Sequence, residues 1–181
     1  MNDSDIIRNV LNGDQNKYSL IVEKYQSNVF RTVMGFVHQK ENAEEITQDV
    51  FVKAYYSLKS FQGRSAFNTW LYRITVNLCL NFLNKKKRRK IWSLFTDSFQ
   101  LPMKEKFVIT QMEEAEEFRI VQKAIDSLSE KQRTAFVLSK YEELSQKQIA
   151  SVMNITEGAV EQLLQRAKIN LKKKLNRHVG K

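Results

Sequence analysis

A basic, aromatic segment between residues 61 and 92 holds the side chains best suited to binding a ligand. It carries eight cationic side chains and no acidic one, and six of the cations form an unbroken run at residues 85–90. Cationic side chains bind phosphate groups, and aromatic rings stack on unpaired bases. Six aromatic residues share this segment: Phe61, Phe67, Trp70, Tyr72, Phe82 and Trp92. The combination predicts binding to nucleic acid, to single strands at least as much as to duplex.

One face of the helix expected in this segment can read bases. Polar and aromatic side chains recur there at helical spacing, and two cations extend the face: Trp70, Arg73, Asn77, Asn81, Lys85 and Arg88. The indole ring can stack on a base, and the amides can pair with base edges. In the alternative interpretation Trp70 and Phe67 belong to the core, as aromatic residues at helical spacing usually do.

The loop before this helix is a second candidate contact. Phe61, Gln62, Arg64 and Ser65 lie around Gly63, so a flexible backbone is placed beside an aromatic ring and a cation. Such a loop can hold a base that has swung out of its stack. We therefore include the loop in the predicted single-strand contact.

Two capped helices near the C-terminus predict a helix-turn-helix. Ser145 is placed as an N-cap with Gln148 three residues later, which is the spacing of a capping box. Asn154 suits the left-handed residue that ends a helix, and Thr156 suits the N-cap of the next one. Two helices joined by so tight a turn form a helix-turn-helix, a DNA-binding motif when the second helix enters the major groove.

The outer face of that second helix is polar and basic. With the cap residue Thr156, the candidates for duplex contact are Glu161, Gln162, Gln165, Arg166, Lys168 and Lys172. Glutamine amides suit adenine edges, while arginine and lysine suit phosphates. The alternative is an ordinary solvated face. Residues 128–181 carry eleven cations against five acids, which favours DNA binding.

These motifs fit an all-α protein of two small helical domains. The 181 residues include one proline and five glycines, so few residues interrupt helices. Helical periodicity predicts a four-helix N-terminal domain in residues 1–90, a linker in residues 91–115, and a helix-turn-helix domain in residues 116–181. In the fourth helix the expected inner stripe is Leu71, Ile74, Leu78 and Phe82.

The amino-acid composition excludes several other classes of protein. Cys79 is the only cysteine, which rules out an internal disulfide and a multi-cysteine zinc site. His38 and His178 have no partnering cysteine or acid motif, so we expect both at the surface, with no catalytic residue, metal or cofactor. No segment has the roughly 20 apolar residues of a membrane span, and the acidic N-terminus lacks a signal pattern. We expect a soluble, cytoplasmic, non-enzymatic protein that does not itself contact a membrane.

Taken together, these motifs resemble those of a known family. Residues 42–51 resemble the second conserved region of bacterial sigma factors, and residues 65–74 resemble the promoter-melting segment of the extracytoplasmic-function (ECF) group of the sigma-70 family. The helix-turn-helix is similar to the fourth region of these factors in its Gly158, Val160, Leu164, Arg166 and Ala167. The three motifs occur in the order that the family has.

The resemblance implies an initiation factor with several partners. The N-terminal domain would bind RNA polymerase core through a third-helix face of Glu45, Gln48, Asp49 and Val52. The β′ clamp and the β flap would be the parts of the polymerase that the factor contacts. The fourth-helix face and its loop would read and melt the −10 promoter element. The helix-turn-helix would bind the −35 element as duplex. An anti-sigma factor is the further partner that the family implies.

The sequence departs from the family pattern at two places. Glu161, Gln162 and Leu163 stand where the family usually has a basic residue, serine and arginine, so we expect a different −35 sequence. Arg64 replaces the usual acid in the loop, which adds a cation. The promoter specificity of relatives therefore does not transfer to this chain.

Two other functions compete with the sigma-factor interpretation. A free-standing regulator would use the helix-turn-helix alone and would leave residues 61–90 without a role. A module for RNA or membrane surfaces would use the cation run, because basic runs attract any polyanion. That second alternative leaves the two helix caps near the C-terminus unexplained.

Overall fold

A computed structural model describes residues 2–96 and 112–179 of the chain. All the long regular elements of this part of the chain are α-helices, which confirms the all-α prediction. Short 3₁₀ turns at Gln15–Lys17 and Leu58–Ser60 flank the second and third helices. The helices are α1 (Asp3–Leu11), α2 (Tyr18–Val37), α3 (Lys40–Ser57), α4 (Phe67–Thr96), α5 (Met112–Asp126), α6 (Glu130–Lys140), α7 (Gln146–Met153) and α8 (Glu157–Val179).

Apolar stripes hold α1 to α4 together as the predicted N-terminal four-helix domain. In α2, Ile21, Val29, Val33 and Phe36 are buried at helical spacing. The inner face of α3 contains the buried Ile46, Val50 and Ala54, and Leu58 just beyond it is 1% exposed. Burial of side chains of this size stabilises a fold by about 1.5–3 kcal/mol each, so these stripes determine how the helices pack.

The buried face of α4 differs from the predicted one. Leu71 is buried, but Ile74, Leu78 and Phe82 are only partly buried. The face that is most buried contains Leu71, Tyr72, Thr75, Val76 and Cys79. The reason is that α4 contacts α2 and α3 on one side and α7 on another, so two neighbours cover it.

The helix-turn-helix has the predicted caps. The Ser145 hydroxyl accepts the Gln148 backbone N–H, and the Gln148 side chain accepts the Ser145 N–H at 2.9 Å, which completes the capping box. Asn154 ends α7 in the left-handed conformation at φ 54°. The Thr156 hydroxyl accepts the Ala159 N–H at 3.2 Å at the start of α8. These local bonds orient α8 relative to α7.

The two halves of the molecule share one continuous apolar core. Buried side chains of α2 and α4 belong to the same cluster as those of α6 and α7. Gly35 marks the closest approach of α2 to α6, because a Cβ atom built there would lie 2.8 Å from Val137 Cγ1. Any larger residue at Gly35 would push the two helices apart.

His38 does not lie at the surface, as the sequence suggested. Its side chain is 10% exposed, and its Nε2 lies 3.0 Å from Asp126 Oδ1. Arg133 contacts the same carboxylate and donates to the Phe36 carbonyl at 2.8 Å. Burial raises the pKa of Asp126, but the hydrogen bond from His38 and the charge of Arg133 outweigh it and lower that pKa. His38 is partly buried because Asp126 of α5 and Arg133 of α6 contact its side chain at the end of α2, and the spacing of residues in the sequence does not predict such contacts. For His178, the side chain lies outside the described residues.

The predicted linker falls mostly on residues 97–111, which lie outside the described part of the chain. At its edges α4 continues to Thr96, and α5 begins at Met112. Within the described residues, no helix is both long enough and apolar enough to cross a membrane.

The capping box gives a direct test of the helix-turn-helix. We expect Ser145→Ala to lower the free energy of unfolding by about 1 kcal/mol, because the Gln148 N–H loses its acceptor. Urea denaturation followed by circular dichroism measures this. Ser27→Ala is the matched control, since Ser27 is exposed inside α2 and alanine favours a helix. An equal loss in both variants would contradict the capping role.

Candidate nucleic-acid interface

The outer face of α8 is open to solvent. The predicted duplex contacts Glu161, Gln162, Gln165 and Arg166 are exposed, and so are Lys168 and Lys172. Val160 and Ala167, on the opposite side of the helix, are fully buried. The structure therefore brings the predicted residues together on one accessible surface, in a form that can enter a groove of DNA.

This surface divides into two stripes. Glu161, Gln165, Lys168 and Lys172 line a cleft of about 650 Å³ between α6 and α8, at the spacing of successive helical turns. The amide of Gln165 donates to Glu161 Oε1 at 3.3 Å, so part of the glutamate charge is satisfied within the stripe. The second stripe contains Gln162 and Arg166.

The loop before α4 is accessible at its tip. Gln62 and Arg64 are exposed, and Gly63 adopts φ 68°, a left-handed conformation that suits glycine. Ser65 is partly buried at the foot of the loop. The arrangement leaves the Arg64 cation free to approach a phosphate.

An aromatic cluster joins this loop to α4. The rings of Phe61, Phe67 and Trp70 lie with centroids 5.4–5.5 Å apart. Phe67 is buried, whereas Phe61 and Trp70 are partly exposed. Trp70 thus packs against the core on one side, as the alternative interpretation required, and keeps some surface on which a base can stack.

Arg73 is the residue of the predicted α4 face that the C-terminal half holds. It donates from Nη2 at 2.6 Å and from Nε at 3.2 Å to the Ser151 carbonyl of α7. Arg73 and Asn77 also line a cleft of about 560 Å³ between α4 and the α6–α7 region. Asn77, Asn81, Lys85 and Arg88 are exposed. The polar side chains of this face beyond Arg73 are therefore accessible to nucleic acid in this conformation.

The predicted polymerase-binding residues of α3 are exposed. Glu45, Gln48 and Asp49 are exposed, and Val52 is 55% exposed. Sequence analysis missed Tyr56, which lies one turn beyond Val52 on the same face and is 79% exposed. Its four-residue spacing from Val52 was the available signal. The five residues form a continuous, partly apolar surface of the kind that binds another protein.

Sequence analysis also missed Glu142, in the loop between α6 and α7. Its carboxylate is fully buried and accepts hydrogen bonds from Arg31, Asn28 and Tyr72 of the N-terminal half. The hydrogen bond to Glu142 raises the pKa of Arg31. Burial, together with the hydrogen bond to Glu142, raises the pKa of Tyr72. In the sequence, Glu142 is an acidic residue in a short turn between two helices, and nothing about its type or spacing predicts that it is buried.

Two stretches of the chain match conserved regions of one family. Residues 21–89 match sigma-70 region 2, and residues 118–171 match sigma-70 region 4. The chain is 33% identical over 180 residues to the RNA polymerase sigma-H factor of Pseudomonas aeruginosa, covering 96% of this chain and 93% of that protein. The chain belongs to the ECF group of the sigma-70 family. It is an RNA polymerase sigma factor, which excludes the free-standing regulator.

Other comparisons agree with this assignment. The sigma factor is 34% identical over 175 residues to the ECF RNA polymerase sigma-E factor of Escherichia coli K12, covering 93% of this chain and 91% of that one. Its fold is shared with CnrH, solved in complex with the cytosolic domain of CnrY, at a TM-score of 0.71 and 20% identity over 97% of both chains. RpoE of Bartonella quintana, solved with the anti-sigma factor NepR, has a TM-score of 0.63 and 19% identity, covering 88% of this chain and 96% of that one.

The described residues of the sigma factor hold no group of three or more His, Cys, Asp or Glu side chains placed to bind a metal ion. Burial raises the pKa of the Cys79 thiol to about 12, so this group stays protonated near neutral pH. Nucleic-acid contact by cations, amides and rings is the chemistry that the surfaces of this part of the chain offer.

Lys172 tests the duplex contact on α8. We expect Lys172→Ala to weaken binding to random-sequence duplex DNA and to lower the slope of log K against log salt by about 0.9, because one phosphate contact is lost. Fluorescence anisotropy across a salt series measures both effects. Lys53→Ala on α3 removes the same charge from another exposed position and should change neither the duplex affinity nor the salt slope. A changed sequence preference without a changed salt slope would contradict a phosphate contact.

Proposed function

We propose that this sigma factor divides promoter recognition between its two halves. Residues 1–90 bind RNA polymerase core and the −10 element, residues 116–181 bind the −35 element, and residues 91–115 link them. The acidic face of α3, with Glu45, Gln48, Asp49 and Val52, docks on the β′ clamp, and the C-terminal half contacts the β flap. The observation that carries this proposal is that three separate exposed surfaces, one acidic and two basic, fall on the two regions matched to the family.

The −10 contact is assigned to α4 and the loop before it. Gln62 and Arg64 project from the loop, and the Phe61–Trp70 pair offers ring surface beside them. Ser65, Arg73, Asn77, Asn81, Lys85 and Arg88 extend the contact along the helix. Stacking combined with a basic track binds a single strand, which is the form that the non-template strand takes when a promoter melts.

The −35 contact is assigned to the exposed face of α8. Gln162 and Gln165 can pair with adenine edges, while Arg166, Lys168 and Lys172 hold phosphates. Glu161 can accept from a cytosine amine, and Thr156 lies at the N-terminal end of the helix. This composition supports a −35 sequence that differs from those of other family members.

Linked contacts strengthen each other. Once the polymerase holds both halves, binding at one promoter element raises the effective concentration of the other half at its own element. Two modest contacts then give a stable promoter complex. We propose that the factor acts as part of the polymerase in the bacterial cytoplasm and that the polymerase supplies the catalysis.

An anti-sigma factor is the second partner that we propose. Two proteins with the same fold were each solved with a protein partner: CnrH with the cytosolic domain of CnrY, and the sigma factor RpoE with the anti-sigma factor NepR. Pull-down with this factor as bait, followed by transcription in the presence of the captured protein, tests the proposal. A captured protein that leaves transcription unchanged would count against it.

Transcription with purified polymerase tests the main proposal. The full chain is mixed with bacterial core enzyme, and run-off products from genomic fragments are mapped. We expect tight binding to core and new start sites that core alone does not produce. Start sites that are unchanged by the factor would overturn the proposal.

Asp49 tests the polymerase-binding face. We expect Asp49→Lys to weaken core binding at least tenfold, because it reverses a charge at the centre of an acidic docking surface. Glu23→Lys makes the same change at an exposed position of α2 and is the control. Surface plasmon resonance with immobilised core enzyme measures the affinity of both variants. Equal affinities of the two variants would remove Asp49 from the interface.

Trp70 tests promoter melting. We expect Trp70→Ala to lower open-complex formation by about 1–3 kcal/mol, because a stacked base loses its platform. Permanganate footprinting measures the opening, and a premelted template should restore transcription. Trp70→Phe, which keeps a ring against Phe61 and Phe67, should lose less. A defect that persists on the premelted template would assign Trp70 to the core alone.

A further inference from the structure

We propose that two exposed lysines near the end of α4, Lys86 and Lys87, hold the phosphate backbone of the duplex between the two promoter elements. This duplex lies just upstream of the strand assigned to the opposite face of the same helix. The third DNA contact rests on the proposed function, and neither of the contacts assigned above includes these two lysines.

The core-facing stripe of α4 changes from apolar to cationic where the helix leaves the core. Tyr72, Val76 and Cys79 are buried, and Leu83 is partly buried against the same core. These four residues follow one another at spacings of four, three and four, and Lys86 comes three residues after Leu83. Such spacings keep side chains on one face of a helix. Lys86 therefore continues the stripe that is buried earlier in the helix, yet its side chain is exposed.

Lys87 lies beside Lys86, and both are placed away from the predicted single-strand face. An α-helix turns by about 100° per residue, so Lys86 and Lys87 lie about 140° and about 120° around the helix from Asn81. Both lysines are exposed. The end of α4 thus presents cations on two sides, and a strand bound along the Asn81 side leaves Lys86 and Lys87 free for another segment of DNA.

The cation run lacks acidic neighbours along its own helix. Residues 61–92 contain no acid, so no ion pair at helical spacing is available to residues 85–89. In the part of the chain that the structure describes, the ion pairs join other residues and leave the side chains of residues 85–89 unpaired. Like charges three and four residues apart repel one another on a helix. A bound polyanion relieves this repulsion, which favours phosphate binding at the end of α4.

The kinds of side chain on the two faces indicate different forms of DNA. The single-strand face carries the Trp70 ring and the amides of Asn77 and Asn81, which are groups that stack on bases or pair with their edges. Lys86 and Lys87 offer ammonium groups, which hold phosphates and carry no sequence information. Duplex DNA has one phosphate charge per about 1.7 Å of its axis, which is about twice the density of one strand. A pair of lysines without a stacking ring therefore suits duplex.

The length of α4 and the course of the chain place this contact upstream of the melted strand. Lys86 follows Trp70 by 16 residues, which is about 24 Å along the helix axis, at about 1.5 Å per residue. That length equals about seven base pairs of duplex at about 3.4 Å each. After α4 the chain continues to α5, in the half assigned to the −35 element. The end of α4 is therefore the end nearer to that half along the chain, so its lysines meet the duplex between the elements.

Two double variants of the full chain, each bound to core polymerase, test the contact. Lys86→Gln/Lys87→Gln removes two charges and keeps good helix formers. Lys53→Gln/Lys59→Gln makes the same change at exposed positions in and just after α3 and is the control. The two labelled probes come from a promoter mapped by run-off transcription: the −10 single strand alone, and a fork in which that strand continues into the upstream duplex. Fluorescence anisotropy across a salt series gives the affinity and the salt slope for each probe.

We expect Lys86→Gln/Lys87→Gln to bind the fork about five-fold or more weakly than the control does. The slope of log K against log salt should fall by about 1.8, because two phosphate contacts are lost. The two variants should bind the single strand equally well. Equal weakening on both probes would place the two lysines on the single strand, and unchanged binding of the fork would remove them from the DNA. Either result would overturn the proposal.

A chemical probe locates the contact on the DNA. Cys79 is the only cysteine of the chain and is buried, so Lys86→Cys adds one accessible thiol to which an iron chelate can be attached. Radicals produced at the chelate cleave the DNA that lies close to it. We expect cuts in both strands of the duplex upstream of the melted region, and none from a chelate attached to Lys59→Cys. Cuts confined to the melted strand would contradict a duplex contact.

Failure of this contact is distinguishable from failure of the proposed function. The wild-type factor must bind core and start transcription before the promoter probes can be made. A wild-type factor that does so, while Lys86→Gln/Lys87→Gln binds the fork as the control does, would overturn the duplex contact alone. A wild-type factor that does not bind core would overturn the proposed function and the duplex contact with it.

Discussion

The conformation of this sigma factor depends on how one buried carboxylate is satisfied. Glu142 is withdrawn from water, and a carboxylate in that position is tolerated only when donors surround it. Arg31, Asn28 and Tyr72 supply these donors from two different helices of the N-terminal half. Because the three donors approach from fixed directions, the two halves fit together in one arrangement, and apolar packing around Gly35 and Val137 fills the remaining space.

That arrangement gives α4 two roles. Its Phe67 and Tyr72 side chains belong to the core, while Trp70 and Arg73 lie at the edge between the core and the surface. The carbonyl of Ser151 accepts from the Arg73 guanidinium now, and a phosphate is the kind of acceptor that can replace it.

Charge is distributed to match these roles. The exposed acidic side chains Glu45 and Asp49 lie on α3, whereas the exposed cations lie on α4 and α8, so basic and acidic surfaces are carried by different helices. On the exposed face of α8, the Glu161 carboxylate accepts a hydrogen bond from the Gln165 amide. In the proposed duplex complex, a glutamate beside phosphates is unfavourable unless a base donates to it, so Glu161 would raise specificity at the expense of general affinity.

Local features of the fold could be predicted from the sequence because their causes are local. The Ser145–Gln148 capping box, the left-handed Asn154 and the Thr156 cap all follow from residue types at fixed spacing, and each was found in the structure. The exposed face of α8 was predictable for the same reason. The roles of these faces in promoter binding remain predictions.

Long-range features were decided by the tertiary structure alone. Periodicity shows which residues of a helix share a face, but it does not show which face another helix will cover. For that reason the buried side of α4, the partial burial of His38 and the partners of Glu142 and Arg73 were not predictable. The sequence by itself determined the helices, their caps and the family. Only the packing of α6 and α7 against α2 and α4 decided which charged side chains are buried, because burial depends on contacts between residues more than a hundred positions apart, as between Arg31 and Glu142.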